Sequence, residues 1–333
     1  MSIDSTNINY TAHTVKLKYT ASLSLNNCTV STSNPDQQYI AYLHKNDIYI
    51  VHNNNSLLHT IDRCESTHCS YINIDKSYIT HIQYIKQIIK GVATDILCIL
   101  NDHGTITLYN VTGATQLYQY TVQLTNNATQ NNHTVLNCVA GNGSDTIYVG
   151  GNNGLLVTLK NQQYEQQHIL NTSHIYTTCI YHDKYKLIGL GNSTGQLLIL
   201  DVNNDRPEIK HTYDTTCNIP ITSCNTLSDY IITTSHNGTI TLISLTSNII
   251  YCTIQSHCKS ITGLCINKDT NQLITCSEDS YISMWQLQSD HTMRHINSYT
   301  PHSGLLTGVQ LLNQEYIVVT CYDSRYLYIV NLS

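Results

Sequence analysis

The sequence predicts an all-β fold that is built from seven repeated units. Two signatures recur seven times along the 333 residues. One is a short apolar strand, as in residues 176–179 and 221–224, and the other is a polar turn that leads into an alternating apolar strand, as in residues 238–243. Because the separation between the two signatures is nearly fixed, the chain is expected to form a stacked or circular array of similar sheets.

Each unit is predicted to contain four antiparallel strands. In the sixth unit these strands are residues 261–267, 272–277, 281–287 and 293–299. Apolar and polar side chains broadly alternate in the third of them, as the two-residue period of a strand requires. The dipeptides Asn153-Gly154 and Asn237-Gly238 supply the positive φ values that tight hairpin turns need.

The other units repeat this pattern. Their second and third strands are predicted at residues 39–43 and 48–51, 96–100 and 105–109, 147–151 and 155–159, 187–191 and 196–200, 230–235 and 239–243, and 316–321 and 326–330. An insertion at residues 86–91 is expected to lengthen the first hairpin of the second unit.

The seventh unit lacks a fourth strand, whereas residues 14–19 alternate and belong to no other unit. We therefore predict that this N-terminal segment pairs with the last sheet and closes a single seven-bladed β-propeller with four-stranded antiparallel blades. A flexible N-terminus is expected at residues 1–12. The predicted blades are residues 21–62, 77–123, 133–170, 174–213, 219–256, 257–299, and 302–333 together with 13–20.

Composition indicates an unusual but folded protein. Charged residues make up 11% of the chain, compared with about 25% in typical soluble domains. The chain contains no Phe, one Trp and 25 Tyr, so we expect aliphatic cores with tyrosines at their margins. The regular apolar alternation argues against a disordered, low-complexity chain.

The charge pattern excludes several kinds of partner. The net charge is −6 and the 16 Lys and Arg residues are scattered, which argues against direct, sequence-specific nucleic-acid binding. The sequence has no window of about 18 apolar residues, so membrane insertion is not expected. Its N-terminus lacks the pattern of a signal peptide, so secretion is not expected. Several of the 13 Cys fall inside predicted strands, as small hydrophobes of a reducing compartment do. We expect a cytoplasmic protein or a member of an intracellular assembly.

Two motifs suggest metal or phosphate chemistry, but each has a simpler interpretation. Cys64, His68 and Cys69 form half of a zinc ligand set without a second pair, which favours a polar loop. The glycines of residues 189–195 are followed by a strand rather than a helix, which favours a hairpin turn over a phosphate loop. No catalytic residue, cofactor or metal site is predicted. Four histidines precede the first strand of a unit, at positions 133, 174, 257 and 302.

The sixth unit resembles a repeat of the WD-repeat β-propeller family. The resemblance places the family's structural hydrogen-bond set at His257, Ser277, Asp279 and Trp285. It implies that the histidine and the aspartate lock the strands of the blade, and it carries no catalytic residue. The other units lack the Trp and have instead Val51, Tyr109, Leu159, Leu200, Ile243 and Val330.

A propeller of this family presents side chains on its narrow face, through the turns between second and third strands and the connections between blades. Tyrosine and arginine are enriched at binding hot spots. The candidate partner contacts on this face are therefore Tyr281, Tyr322, Arg325, His103 and Asn237, although each also suits a role in stabilising its turn.

The expected function is a non-catalytic scaffold or adaptor for protein–protein interaction in an intracellular multiprotein complex. One alternative is a structural subunit buried in a large assembly, such as a ribonucleoprotein or cytoskeletal particle. Another is a propeller enzyme with a site in the central funnel. The partners are expected to be other proteins, and nothing in the sequence signals strong homo-oligomerisation.

Overall fold

The computed structural model describes residues 12–34, 37–54, 69–73, 77–122, 134–161, 164–170, 174–204 and 206–332. Within these residues 28 strands form seven four-stranded antiparallel sheets. The innermost strand of each sheet contacts the innermost strand of the next, and the series returns from the last sheet to the first. The predicted all-β class and the ring of seven blades are therefore confirmed.

Each sheet runs from an innermost to an outer strand. The innermost strands are β2 Thr29–Val30, β6 Ile79–Ile89, β10 Leu136–Gly141, β14 Tyr176–His182, β18 Ile221–Leu227, β22 Ile261–Asn267 and β26 Leu306–Leu311. The second strands are β3 Gln37–His44, β7 Val92–Asn101, β11 Thr146–Gly151, β15 Leu187–Asn192, β19 Tyr230–Ser235, β23 Gln272–Ser277 and β27 Tyr316–Cys321. The third strands are β4 Asp47–Asn54, β8 Thr105–Asn110, β12 Leu155–Lys160, β16 Gln196–Asp201, β20 Thr239–Ser244, β24 Ile282–Leu287 and β28 Tyr326–Asn331. The outer strands are β5 Cys69–Asn73, β9 Gln116–Thr121, β13 Tyr164–Ile169, β17 Glu208–Asp214, β21 Ile249–Gln255, β25 Met293–Tyr299 and β1 Ala12–Lys16.

The N-terminal strand closes the ring. β1 pairs with β28 in an antiparallel register that joins Ala12 to Val330 and Lys16 to Tyr326. The strand ends at Lys16, three residues earlier than predicted, and the N–H of Leu17 then donates to the carbonyl of Arg325, which precedes β28. The chain then crosses to the first blade. The predicted flexible segment falls on residues 1–11, which lie outside the described residues, and on Ala12, which begins β1.

Two features of the blades differ in detail from a uniform repeat. The first blade has an innermost strand of two residues, and its outer strand β5 follows residue 62, where the predicted blade ended. In the second blade β6 and β7 extend to 11 and 10 residues around the turn at Lys90 and Gly91, as the insertion predicts.

Seven clusters of buried side chains fill the gaps between neighbouring blades. Between the first and second blades, for example, Ile50 and Ile72 pack with Ile82 and Ile99. Both faces of each sheet are therefore covered by an adjacent sheet, and burial of aliphatic surface stabilises the ring. The expected marginal placing of tyrosine is wrong for Tyr42 and Tyr176, which are both fully buried.

The predicted turn chemistry is confirmed at Asn153 and Gly154, which have φ values of 55° and 68°. In the second predicted pair only Gly238 has a positive φ, of 82°, and the expectation for Asn237 is wrong because the glycine alone makes the left-handed step of that turn. A Cβ on Gly238 would lie 2.1 Å from the carbonyl oxygen of His257, so this turn accepts only glycine. No helix in the described part of the chain is long and apolar enough to cross a bilayer.

Ring closure predicts unequal effects for two neighbouring substitutions in β1. Val15 is buried opposite Leu327, whereas Thr14 is exposed on the other side of the strand. Val15→Asp places an unpaired carboxylate in the core and should lower the free energy of unfolding by about 3 kcal/mol. Thr14→Asp should change it by less than about 0.5 kcal/mol. Urea unfolding of both variants measures the difference, and an equal loss would contradict the packing of β1 as a closing strand.

Candidate functional site

The topology gathers two kinds of connection at one end of the ring. Because the strands of each sheet alternate in direction, the turns between second and third strands lie at the same end as the connections from an outer strand to the next innermost strand. We call this end the narrow face. The turns between first and second strands lie at the opposite end.

Exposed tyrosines are concentrated on the narrow face. Tyr78 precedes β6 and is 75% exposed, the largest value of any tyrosine in the described residues. Five more exposed tyrosines lie at this end, namely Tyr19, Tyr71, Tyr281, Tyr322 and Tyr326. Tyr251, on the outer strand of the fifth blade, is the other exposed tyrosine of the described residues.

Tyr281, Tyr322 and Arg325 all present their side chains to solvent in turns of the narrow face. The N–H of Tyr281 donates to a carboxylate oxygen of Asp279 at 3.0 Å, so the backbone is fixed while the ring stays free. The N–H of Tyr322 donates to the carbonyl of Leu305 at 2.8 Å. Among the described residues, the guanidinium of Arg325 takes part in no ion pair. These three side chains are available to a partner.

His103 and Asn237 lie on the same face but have partners within their own turns. The imidazole of His103 is 3.7 Å from the carboxylate of Asp102. The side-chain oxygen of Asn237 accepts the hydroxyl of Thr239 at 2.8 Å and its N–H at 3.3 Å. Both residues are exposed, so a turn-stabilising role does not remove them from the surface.

The hydrogen-bond set of the sixth blade differs from the predicted one at Ser277 and at Trp285. The imidazole of His257 donates through Nδ1 to the carboxylate of Asp279, at 3.1 and 3.2 Å. Its Nε2 lies at hydrogen-bond distance, 2.9 Å, from the hydroxyl oxygen of Thr275. Thr275 therefore has the role that the sequence comparison placed at Ser277, two residues along β23.

Ser277 and Trp285 support the same blade through other bonds. The hydroxyl of Ser277 accepts the N–H of Asp279 at 3.2 Å. The indole N–H of Trp285 donates to the hydroxyl of Ser256 at 2.9 Å, next to His257. Adjacent residues on a strand point to opposite faces, and Ser277 and Thr275 share one face. Sequence spacing alone therefore leaves both hydroxyls as candidates.

The carboxylate of Asp279 is held ionised in this set. Burial by itself would raise the pKa of Asp279, but hydrogen bonds from His257 and from the N–H groups of Tyr281 and Cys258 lower it to about 2. The side chains of His257 and Asp279 are 1% and 7% exposed, so the pair lies beneath the surface. Its geometry fits a strand-locking role in the blade.

His302, which precedes the first strand of the seventh blade, makes different contacts. His302 accepts the N–H of Gly304 at 3.0 Å and lies 3.4 Å from the thiol of Cys321. The ring of His174 lies edge-on to Tyr176. His133, Cys64 and His68 are outside the described residues, as is the side chain of Cys69. No group of three potential metal ligands occurs among the residues that the structure describes.

The glycine-rich segment at residues 189–195 forms a hairpin turn between β15 and β16, as predicted. Gly195 has a φ of 81°, and a Cβ there would lie 2.2 Å from the hydroxyl oxygen of Thr216. The glycine is thus required by the turn and by its close neighbour.

The central channel contains a small cavity of about 120 Å³ between the innermost strands. Four thiols line it, from Cys28, Cys138, Cys179 and Cys224, and His81 lines it from the second blade. Burial raises the pKa of all four thiols, that of Cys224 to about 12. Burial also lowers the pKa of His81, against a hydrogen bond to Gln83 that raises it. Nucleophilic cysteines need a lowered pKa, so these thiols suit packing.

The opposite end of the ring has a larger cavity, of about 1030 Å³. Its rim includes Lys86, Lys268, Asp269 and Glu315, which lie at or near the turns that follow innermost strands. The sequence interpretation did not identify this cavity, because its walls come from five blades that are spread along the chain. The insertion at residues 86–91 was the one local signal at this end.

Comparisons with known proteins agree with this architecture. Residues 249–286 match the sequence model of the family described as WD domain, G-beta repeat. No curated protein matches the chain. A chain in the structure titled "Crystal Structure of Mitotic Checkpoint Complex" superimposes with a TM-score of 0.74 and 13% sequence identity, over 100% of this chain and 95% of that one. This likeness concerns the fold.

The predicted resemblance to WD-repeat β-propellers is thus confirmed by one matching repeat and by the seven-bladed ring. The narrower similarity of residues 255–287 and of the chain length to WD repeat-containing protein 54 stays a prediction.

The substitution Asp279→Asn tests the buried pair of His257 and Asp279 through the pH dependence of the free energy of unfolding. The folded pKa of about 2 lies below the ordinary value of 3.8, so the ionised carboxylate contributes stability that is full above about pH 4. That contribution is lost as the pH falls towards 2. At pH 7 the variant should be less stable by about 1–3 kcal/mol, and the difference from the native chain should shrink between pH 4 and pH 2.

Glu278→Gln removes a charge from the same turn and provides the control. Denaturant unfolding at a series of pH values measures the two differences. A constant difference for Asp279→Asn across this range would contradict an ionised, hydrogen-bonded Asp279.

Proposed function

We propose that this WD-repeat β-propeller is a non-catalytic scaffold that binds other proteins through its narrow face. The observation that carries the proposal is the concentration of exposed tyrosines at that end, with Tyr78, Tyr281 and Tyr322 on three different blades. A tyrosine ring offers a large contact area and a hydroxyl at a low entropic cost, because it has only two side-chain torsions.

The ring is suited to hold such residues in fixed positions. Its ends are joined by the pairing of β1 with β28, and a buried cluster lies at each junction between blades. Turns on a rigid support can differ in side chain without changing the support itself. A partner would therefore meet a preorganised surface, which reduces the entropic cost of binding.

Low charge favours recognition by hydrogen bonds and ring contacts. Charged residues are 11% of the chain, so steering by long-range electrostatics would contribute little over most of the surface. The raised pKa values of Cys138, Cys179 and Cys224 in the central channel favour a scaffold over an enzyme that uses a thiol nucleophile there.

The setting that we propose is a multiprotein complex inside the cell. The structural relative described above is part of a complex according to its title. Membership of a complex in the cytoplasm would also agree with the use of cysteine as a small core residue, since the cysteines of the described residues are free thiols and most are buried.

A second candidate is a structural subunit that is buried on several sides in a larger assembly. It is favoured by exposed apolar side chains on outer strands, away from the narrow face. These are Leu117, Ile209, Ile249, Ile250 and Tyr251. A subunit of this kind would bury its circumference as well as its narrow face.

The two candidates predict different responses to two matched double variants. Tyr281→Ala with Tyr322→Ala removes rings from the narrow face, and Ile249→Ala with Tyr251→Ala removes similar exposed side chains from an outer strand. Each tagged protein is purified from the cells that make it, and its native mass and bound partners are measured. If the scaffold proposal is right, the amount of bound partner should fall by about tenfold or more in the narrow-face variant. It should be unchanged in the outer-strand variant.

Loss of partners from both variants would favour the buried subunit. A native protein that is found only as a free monomer would contradict both candidates. Thermal unfolding of each variant confirms that the ring is intact before partners are compared.

A further inference from the structure

We propose that the narrow face binds an acidic segment of a partner protein at the junction between the seventh and first blades. This inference rests on the proposed scaffold function and identifies one of its subsites. We call the site the junction patch, and it consists of the crossing segment at residues 16–22 and the turns at residues 322–326 and 44–47.

The crossing segment is fixed between the two turns by backbone hydrogen bonds. On the side of the seventh blade, the N–H of Leu17 donates to the carbonyl of Arg325 at 2.7 Å, and the N–H of Asp323 donates to the carbonyl of Ala21 at 3.0 Å. On the side of the first blade, the N–H of Ser22 donates to the carbonyl of Leu43 at 2.9 Å. The N–H of Lys45 donates to the hydroxyl of Ser22. The patch therefore has a defined shape.

Four cations converge on this small area. Lys16 pairs across the strands with Tyr326, next to Arg325, while Lys18 and Lys45 lie on the crossing segment and on the turn bound to it. All four side chains are exposed. Within the described ranges none of them forms an ion pair with a carboxylate. Their charge is available to an external anion.

The carboxylates near the patch do not cancel this charge. Asp47 accepts hydrogen bonds from the side chains of Asn73 at 2.8 Å and Tyr71 at 3.4 Å. Asp323 is exposed in the left-handed turn of the seventh blade, with a φ of 55°. The local balance therefore remains positive, at four cations against two carboxylates, in a chain whose net charge is −6.

Aromatic rings continue the patch across the first blade. The ring of Tyr19 lies 4.8 Å from that of Tyr49 and 5.2 Å from that of His44, and Tyr49 lies 5.4 Å from Tyr71. The ammonium group of Lys18 is 5.4 Å from the centre of the Tyr19 ring. The rings of Tyr322 and Tyr326 are exposed on the other side. Carboxylates of a bound partner segment can thus contact the cations of the patch, while apolar side chains of that segment contact the tyrosine rings.

Charge complementarity favours an acidic protein segment over a nucleic acid. A nucleic-acid site needs a stripe of cations that follows a run of phosphates, whereas the four cations here occupy one corner of the ring. The negative net charge would repel an extended polyanion beyond this corner. A short acidic peptide with apolar side chains matches both the size and the mixed chemistry of the patch.

Fluorescence anisotropy tests the inference with a fluorescein-labelled peptide in which Glu alternates with Gly and a few Leu. The matched neutral probe has Gln in place of Glu, and a single-stranded oligothymidine of equal charge tests the nucleic-acid alternative. We expect the native chain to bind the acidic peptide at least about tenfold more tightly than either other probe. Raising the salt concentration from about 50 to about 300 mM should weaken this binding.

Charge reversal locates the site. Lys18→Glu with Arg325→Glu should weaken binding of the acidic peptide by about tenfold or more. Lys160→Glu with Lys268→Glu makes the same change in net charge at the opposite end, where both lysines are exposed, and should leave binding within about twofold. If the first variant does not fold, Lys16→Glu with Lys45→Glu replaces it.

Equal weakening by the two variants, equal binding of the neutral peptide, or tighter binding of oligothymidine would each overturn the inference. These outcomes are separable from failure of the scaffold function. If one of these outcomes occurs and the substitutions at Tyr281 and Tyr322 still cause loss of partners, the narrow face binds proteins without an acidic subsite at the junction.

Discussion

Pairing between β1 and β28 joins the two ends of the described chain, and the geometry of the ring depends on this contact. Without it, the seventh sheet would have three strands, and β28 would be its outer strand. Val15 and Leu17 from the N-terminal side complete the core between the last and first blades, beside Leu327 and Ile329. Closure therefore supplies both backbone hydrogen bonds and apolar packing, and it leaves no unpaired end at this point of the ring.

The same closure creates the most distinctive part of the narrow face. Because the closing strand must continue into the first blade, the crossing segment passes over the junction and brings Lys16, Lys18 and Tyr19 beside turns from both ends of the chain. Blade junctions without this segment have no equivalent concentration of cations and rings among the described residues. A constraint that first serves stability thus also places a candidate recognition surface.

Much of the fold could be predicted because its causes are local. Alternation specifies the strands, the glycines specify tight turns, and the repeat specifies the number of blades. Other features depend on contacts that sequence spacing does not resolve. Thr275 and Ser277 lie on the same face of β23, so only the position of the His257 ring decides which hydroxyl it meets. Tyr42 is fully buried, with its ring stacked on that of Tyr49 and its hydroxyl donating to the carbonyl of Tyr19 in the crossing segment.

The candidate contacts show the same division between local and long-range causes. Tyr281, Tyr322 and Arg325 lie in turns whose positions follow from the repeat, so the sequence alone predicts that they reach the narrow face. The junction patch and the large cavity at the opposite end combine residues from blades that are far apart in the chain, so neither has a sequence signature.

The central claim is that the narrow face, and not the opposite end, is the surface that partners cover. Hydrogen–deuterium exchange of the native complex against the free chain measures this directly. We predict slower exchange on complex formation at residues 17–22, 278–282 and 322–326, with unchanged exchange at the turns of residues 268–271 and 312–315. Protection of those opposite turns, with the narrow face unchanged, would contradict it.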